Sequence, residues 1–233
     1  MTRLSRNIAS GQEAGYKDLL MIVRGEPARM RRFVITSLLC SILASGSSAS
    51  AQPAFHNKNA TAQIPAAAQA LINRYNMQPV PVEGGWFSQL QRTTETIAGS
   101  ALPARYAGVT HPLSTAILFV ETRRDFSALH TLKTTEIWHF YAGDPVHLLL
   151  LHPDGRGQSI TLDRDHPAYV VPEGVWQGSA PIGPAGWSFV GTTMAPGFIP
   201  EDFQLGERKA LSERYPAFRK QVTALTRVKD QTQ

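Results

Sequence analysis

Between Ser114 and Met194 the chain is cut into short apolar stretches by Gly, Pro and Asp at near-regular intervals. This punctuation constrains the fold more than any other feature. Ser114–Val120 is β-branched and apolar. Ser127–Lys133 and Glu136–Tyr141 follow Asp125, and Val146–His152 and Gln158–Asp163 flank Pro153-Asp154-Gly155-Arg156-Gly157. Ala168–Val171, Val175–Ser179 and Trp187–Met194 complete the set. Short apolar stretches with turn residues at such spacing predict an all-β sandwich or barrel, a jelly roll. Trp86–Arg92 adds a strand after the turn Glu83-Gly84-Gly85, and residues 94–110 are expected to be a loop.

The ends read differently. Ile64, Ala68, Leu71 and Ile72 have helical spacing, with Pro65 suited to a first turn. Glu201–Tyr215 and Ala217–Thr226 also carry helical periodicity, divided by Pro216, with Asp202 expected as a cap. Ahead of the domain, Arg31-Arg32, the apolar run Phe33–Ala44 and the small residues through Ala49-Ser50-Ala51 fit a secretory leader. The expected organisation is a leader over 1–51 (translation starting at Met30, cleavage after Ala51), a linker over 52–63 and one domain over 64–226. Twelve apolar residues are too few to span a bilayer, so no membrane association is expected after cleavage. The product would be periplasmic or secreted.

Charge follows the same division. Of the net +5, the leader accounts for +4, and residues 52–233 hold sixteen basic and fifteen acidic side chains. A near-neutral body gives no electrostatic reason for a nucleic-acid partner. The one cysteine, Cys40, lies in the leader, so the mature chain has no disulfide and no thiolate ligand.

The candidate site lies in Phe126–Gly143. His130, Glu136 and Gly143 fit His-x-His-x3-Glu-x6-Gly, except that Leu132 replaces the second His. Further on, Pro172-Glu173-Gly174-Val175-Trp176-Gln177 fits Pro-x-Gly-x-x-His with Gln177 in place of the His. The motif pair resembles the cupin superfamily. Together with Glu136-Ile137-Trp138-His139-Phe140-Tyr141 and Pro81-Val82-Glu83-Gly84-Gly85-Trp86-Phe87, it resembles one branch, the fifth cupin family, of unknown activity. The resemblance implies a double-stranded β-helix similar in fold to the dTDP-sugar epimerases, and a homodimer.

Strand alternation puts Glu136, Trp138 and Phe140 inside the barrel and Ile137, His139 and Tyr141 outside. The expected site is His130, Glu136 and Gln177, ringed by Leu132, Trp138, Phe140 and Trp176, with Glu83 at the mouth and Arg92 to hold an anionic ligand group. Several readings stay open. His130, Glu136 and Gln177 are candidate ligands for a divalent transition metal, though Leu132 cannot ligate and an amide oxygen is a weak donor. Alternatively His130 is a general base oriented by Glu136, with Tyr106 or Tyr141 as the acid, suiting a metal-free sugar-type isomerase or epimerase. As a binding pocket, the aromatic faces and convergent polar groups would take a small polar, sugar-like molecule. Finally, His130 and Glu136 could be a paired couple in an inert core.

Overall fold

Strand β7, Glu136–Gly143, shows how the fold is made: Glu136, Trp138, Phe140 and Ala142 are buried, while Ile137, His139, Tyr141 and Gly143 are less so. The period of two fixes one face to an interior, as the alternation predicts. The computed structural model describes residues 64–227. The leader and linker, with the proposed cleavage site, lie outside the described residues.

The elements run α1 (Ala66–Arg74), β1 (Gln78–Pro79), β2 (Trp86–Arg92), β3 (Thr96–Gly99), β4 (Gly108–Pro112), β5 (Thr115–Thr122), β6 (Ser127–Leu132), β7, β8 (Val146–Leu151), β9 (Gly157–Leu162), β10 (Ala168–Val171), β11 (Trp176–Pro181), β12 (Trp187–Met194), β13 (Phe203–Leu205), α2 (Arg208–Arg214) and α3 (Arg219–Ala224). One sheet has the order β1-β2-β5-β12-β7-β10 and the other β13-β6-β11-β8-β9. Every strand pairing is antiparallel. This is the jelly roll expected from the sequence, with one helix before it and two after it among the described residues.

Between the sheets lies a core of Phe119, Trp138, Phe140, Leu148, Leu150, Val171 and Val190. The outer face of the second sheet is also dry. There Leu129, Leu149 and Leu151 pack against Leu211, Tyr215, Val222 and Leu225. The unbroken leucine run in β8 follows from this: α2 and α3 cover one side and the barrel interior the other. On the first sheet, α1 buries Ala68, Leu71 and Ile72, and Tyr75 at its end stacks on Phe189 with ring centres 5.7 Å apart. Gly143 ends β7 at φ +92, and a Cβ there would lie 2.6 Å from the Trp187 carbonyl oxygen. Only glycine meets both demands.

Three expectations are corrected. Residues 94–110 contain β3, a turn of 3-10 helix at Ala104–Tyr106 and the start of β4, forming a hairpin rather than a loop. Helix does not begin at Glu201: residues 200–202 make a 3-10 turn and Phe203–Leu205 is a strand on β6. Asp202 is not a helix cap. It is buried and accepts from His111, while Glu207 caps α2 by accepting from the Lys209 and Ala210 amides.

Candidate functional site

His130 on β6 and Gln177 on β11 are direct cross-strand partners, and β12 places Met194 opposite Glu136 and Thr192 opposite Trp138. Motif residues about forty positions apart thereby meet inside the barrel. His130, Glu136, Trp138, Thr192 and Met194 border a cavity of about 380 Å³. Its walls include Phe87, Phe119, Leu132, Trp138, Met194, Phe198 and Phe203, and its polar margin includes Glu83, Gln89, Thr115, His130, Glu136 and Thr192.

His130 is nearly fully buried, and its ring stacks on Phe203 with centres 5.2 Å apart. Its Nδ1 lies 2.9 Å from the Ala128 carbonyl oxygen. A carbonyl only accepts, so Nδ1 carries the hydrogen, and the lone pair of the neutral ring falls on Nε2. Glu83 approaches from the turn before β2: its Oε1 is 3.9 Å from His130 Nδ1 and accepts from Ser127 Oγ at 2.7 Å. The Glu83 carbonyl is gripped by the Ala128 amide and the Arg227 guanidinium, which fixes where its carboxylate stands.

Glu136 accepts from Gln177 Nε2 at 2.6 Å, and Gln177 Oε1 accepts from Trp138 Nε1 at 2.9 Å. The amide is thus a relay between indole and carboxyl. Burial pushes the Glu136 carboxyl above the ordinary range, against the pull of His130 and of bonds from Thr192 and Gln177, and neighbouring Glu83 adds to the rise. Behind Glu83, burial also lifts Glu121, to about 7, opposed by bonds from Ser179 Oγ at 2.7 Å and the Ser127 amide. Its Oε1 is buried without a partner. Glu121 was not singled out in the sequence. The signal available was a lone acid inside the apolar stretch that became β5.

The structure brings His130, Glu136, Trp138, Leu132 and Glu83 to the cavity but not every expected residue. Gln177 is 1% exposed and stands behind Glu136 and Trp138 with both ends of its amide engaged. Phe140 belongs to the packed core. Trp176 lies against the outer cluster beneath α2 and α3, because adjacent residues of a strand face opposite ways. Arg92 is exposed and donates from Nη1 to the Phe198 carbonyl at 2.9 Å, anchoring a wall without facing a ligand. Neither tyrosine proposed as an acid lines the cavity. Tyr106 is buried with its hydroxyl accepting from Thr134, and Tyr141 packs on Phe189 outside the sheet.

The donor set does not fit a cupin metal. Leu132 offers no ligand, the Gln177 oxygen is taken by the indole, and no three His, Cys, Asp or Glu side chains gather as a metal-holding group among the described residues. No described helix is long and apolar enough to cross a membrane.

No curated protein matches the sequence. Among solved structures, a hypothetical protein from Leishmania major is 28% identical with a TM-score of 0.60, over 69% of this chain and 99% of that one. A structural-genomics target from Shewanella oneidensis is likewise 28% identical with a TM-score of 0.60, over 69% of this chain and 97% of its own. The family model described as "Cupin superfamily (DUF985)" matches residues 69–206, which is more than half of the chain. With the motif pair and the jelly roll both in place, the chain belongs to this family of cupins of unknown function.

Proposed function

We propose that the protein is an exported cupin that binds a small molecule inside its barrel, with His130 and Glu136 as the polar contacts and no metal between them. The observation that carries this reading is the state of His130. Its Nδ1 is committed to a backbone carbonyl, which leaves Nε2 as a base at the edge of a cavity of about 380 Å³. An inert core would fill such a space, since interiors pack to crystal-like density. The apolar walls favour a ligand with a flat or aliphatic body over a fully hydroxylated sugar. The leader supports export, and the resemblance to dimeric cupins supports a homodimer.

A proton-transfer role is the second reading. Nε2 of His130 is a base, and the Glu136 carboxyl, raised by burial, is an acid at the same wall. In this reading Glu136 takes the part first expected of a tyrosine.

The test is a fragment screen by saturation-transfer NMR on the natural chain beside Thr192→Phe, which fills the cavity, and Glu136→Gln. Binding of small aromatic fragments that disappears in Thr192→Phe and weakens in Glu136→Gln, while both variants melt cooperatively, supports the site. Equal binding by all three proteins places the fragments elsewhere and defeats the proposal.

A further inference from the structure

The lining of the barrel cavity is unbalanced between hydrogen-bond donors and acceptors. No Lys or Arg lines it. The side-chain N–H groups that reach its walls are already spent. Trp138 Nε1 donates to Gln177, and Gln89 Nε2 donates to the carbonyls of Gln91 and Ala116 at 2.6 and 2.9 Å. The Thr115 hydroxyl oxygen accepts from the Phe198 amide at 2.9 Å and keeps its own O–H to give, while the Thr192 hydroxyl bonds Glu136. What remains is chiefly acceptors: the carboxyl groups of Glu83 and Glu136 and Nε2 of His130. A ligand settling here must bring its own donors.

Sign of charge points the same way. Glu83 and Glu136 border one cavity, and neighbouring Glu83 adds to the rise at Glu136. Two cations stand nearby, both facing away. Arg227 spends its guanidinium on the carbonyls of Glu83 and Phe126, and Arg92 spends Nη1 on the Phe198 carbonyl. An anionic ligand would meet two acids without a compensating donor. A cation would meet both acids and the faces of Trp138, Phe119 and Phe203, which attract positive charge.

We infer that the cavity selects a small protonated amine, with an apolar or aromatic body against the aromatic wall and its ammonium group between Glu83, Glu136 and His130 Nε2. The inference rests on the cavity being a ligand site, as proposed above.

The test uses three probes of matched size, benzylamine, benzyl alcohol and benzoate, titrated into the purified protein by isothermal calorimetry at pH 6 to 8. Benzylamine is expected to bind at least about tenfold more tightly than the alcohol, with benzoate weakest. The preference should collapse in Glu83→Gln, which keeps the bond from Ser127. Equal affinity for the three probes, or a preference for benzoate, overturns the amine inference and leaves a ligand cavity standing. No heat from any probe at millimolar concentration defeats the inference and the cavity reading together.

Discussion

His111 Nε2 lies 2.8 Å from Asp202 Oδ2, and both side chains are wholly buried. The contact joins β4 to the turn that launches β13. Because β13 pairs with β6, setting Leu205 opposite His130, a bond at the edge of the domain holds one wall of the cavity in register. Asp202→Ala leaves the His111 nitrogen without a partner and is expected to cost about 2 kcal/mol. Urea titration measures that loss. Amide hydrogen exchange should localise it, with protection falling at Phe203–Leu205 more than in β8.

Glu121 gives stability a pH dependence of unusual sign for an acid. Its carboxyl titrates near 7 in the fold, against an ordinary value of 4.5. Between these values the unfolded chain has ionised while the folded chain still holds its proton. The contribution is therefore fully present below pH 4.5, is lost as pH rises through 7, and amounts to about 3 kcal/mol. Glu121→Gln keeps acceptance from Ser179 and Ser127 and carries no charge. Denaturation midpoints measured across this range should flatten in the variant, which should be the more stable protein above about pH 7. An unchanged slope would show that another group governs it.

Gln177→Leu removes both ends of the relay at once. The Trp138 indole N–H and the Glu136 carboxyl then lose a partner inside the core, and a loss of about 3 kcal/mol is expected. Gln177→Glu should do less harm at low pH than at high pH, since its own carboxyl faces that of Glu136. Thermal melts at pH 5 and 8 separate these outcomes.

The missing metal donors can be restored. Leu132→His with Gln177→His supplies both absent imidazoles of the motif beside His130 and Glu136, and about one equivalent of a transition metal should remain bound after desalting. The natural chain, treated identically, is expected to retain no stoichiometric metal. Elemental mass spectrometry decides both. Stoichiometric metal in the natural chain, lost in His130→Ala, would return metal chemistry to the site.

The legible parts of this protein were those written in local patterns. Alternation along β7 marked the inward set Glu136, Trp138 and Phe140, the motif spacing marked His130, and the regular turn residues marked the jelly roll. The same alternation excludes Trp176 from any site that holds the adjacent Gln177, a consequence available in the sequence though not drawn there. The illegible parts depend on distant partners. Phe203–Leu205 is short and followed by helical residues, and only pairing with β6 makes it a strand. Nothing local marks Asp202 as the acceptor for His111, ninety-one residues earlier. Gln177 reads as a substituted ligand until its two bonds show that its amide is already occupied.

The four leucines of β8 have a consequence for how the chain is made. Leu149 and Leu151 are shielded by side chains from residues 211–225, which follow the barrel strand Phe203–Leu205 in the chain. A body made without them would display a greasy outer flank that invites sticking to neighbours. α2 and α3 thus act as a waterproof cover fitted over the finished barrel.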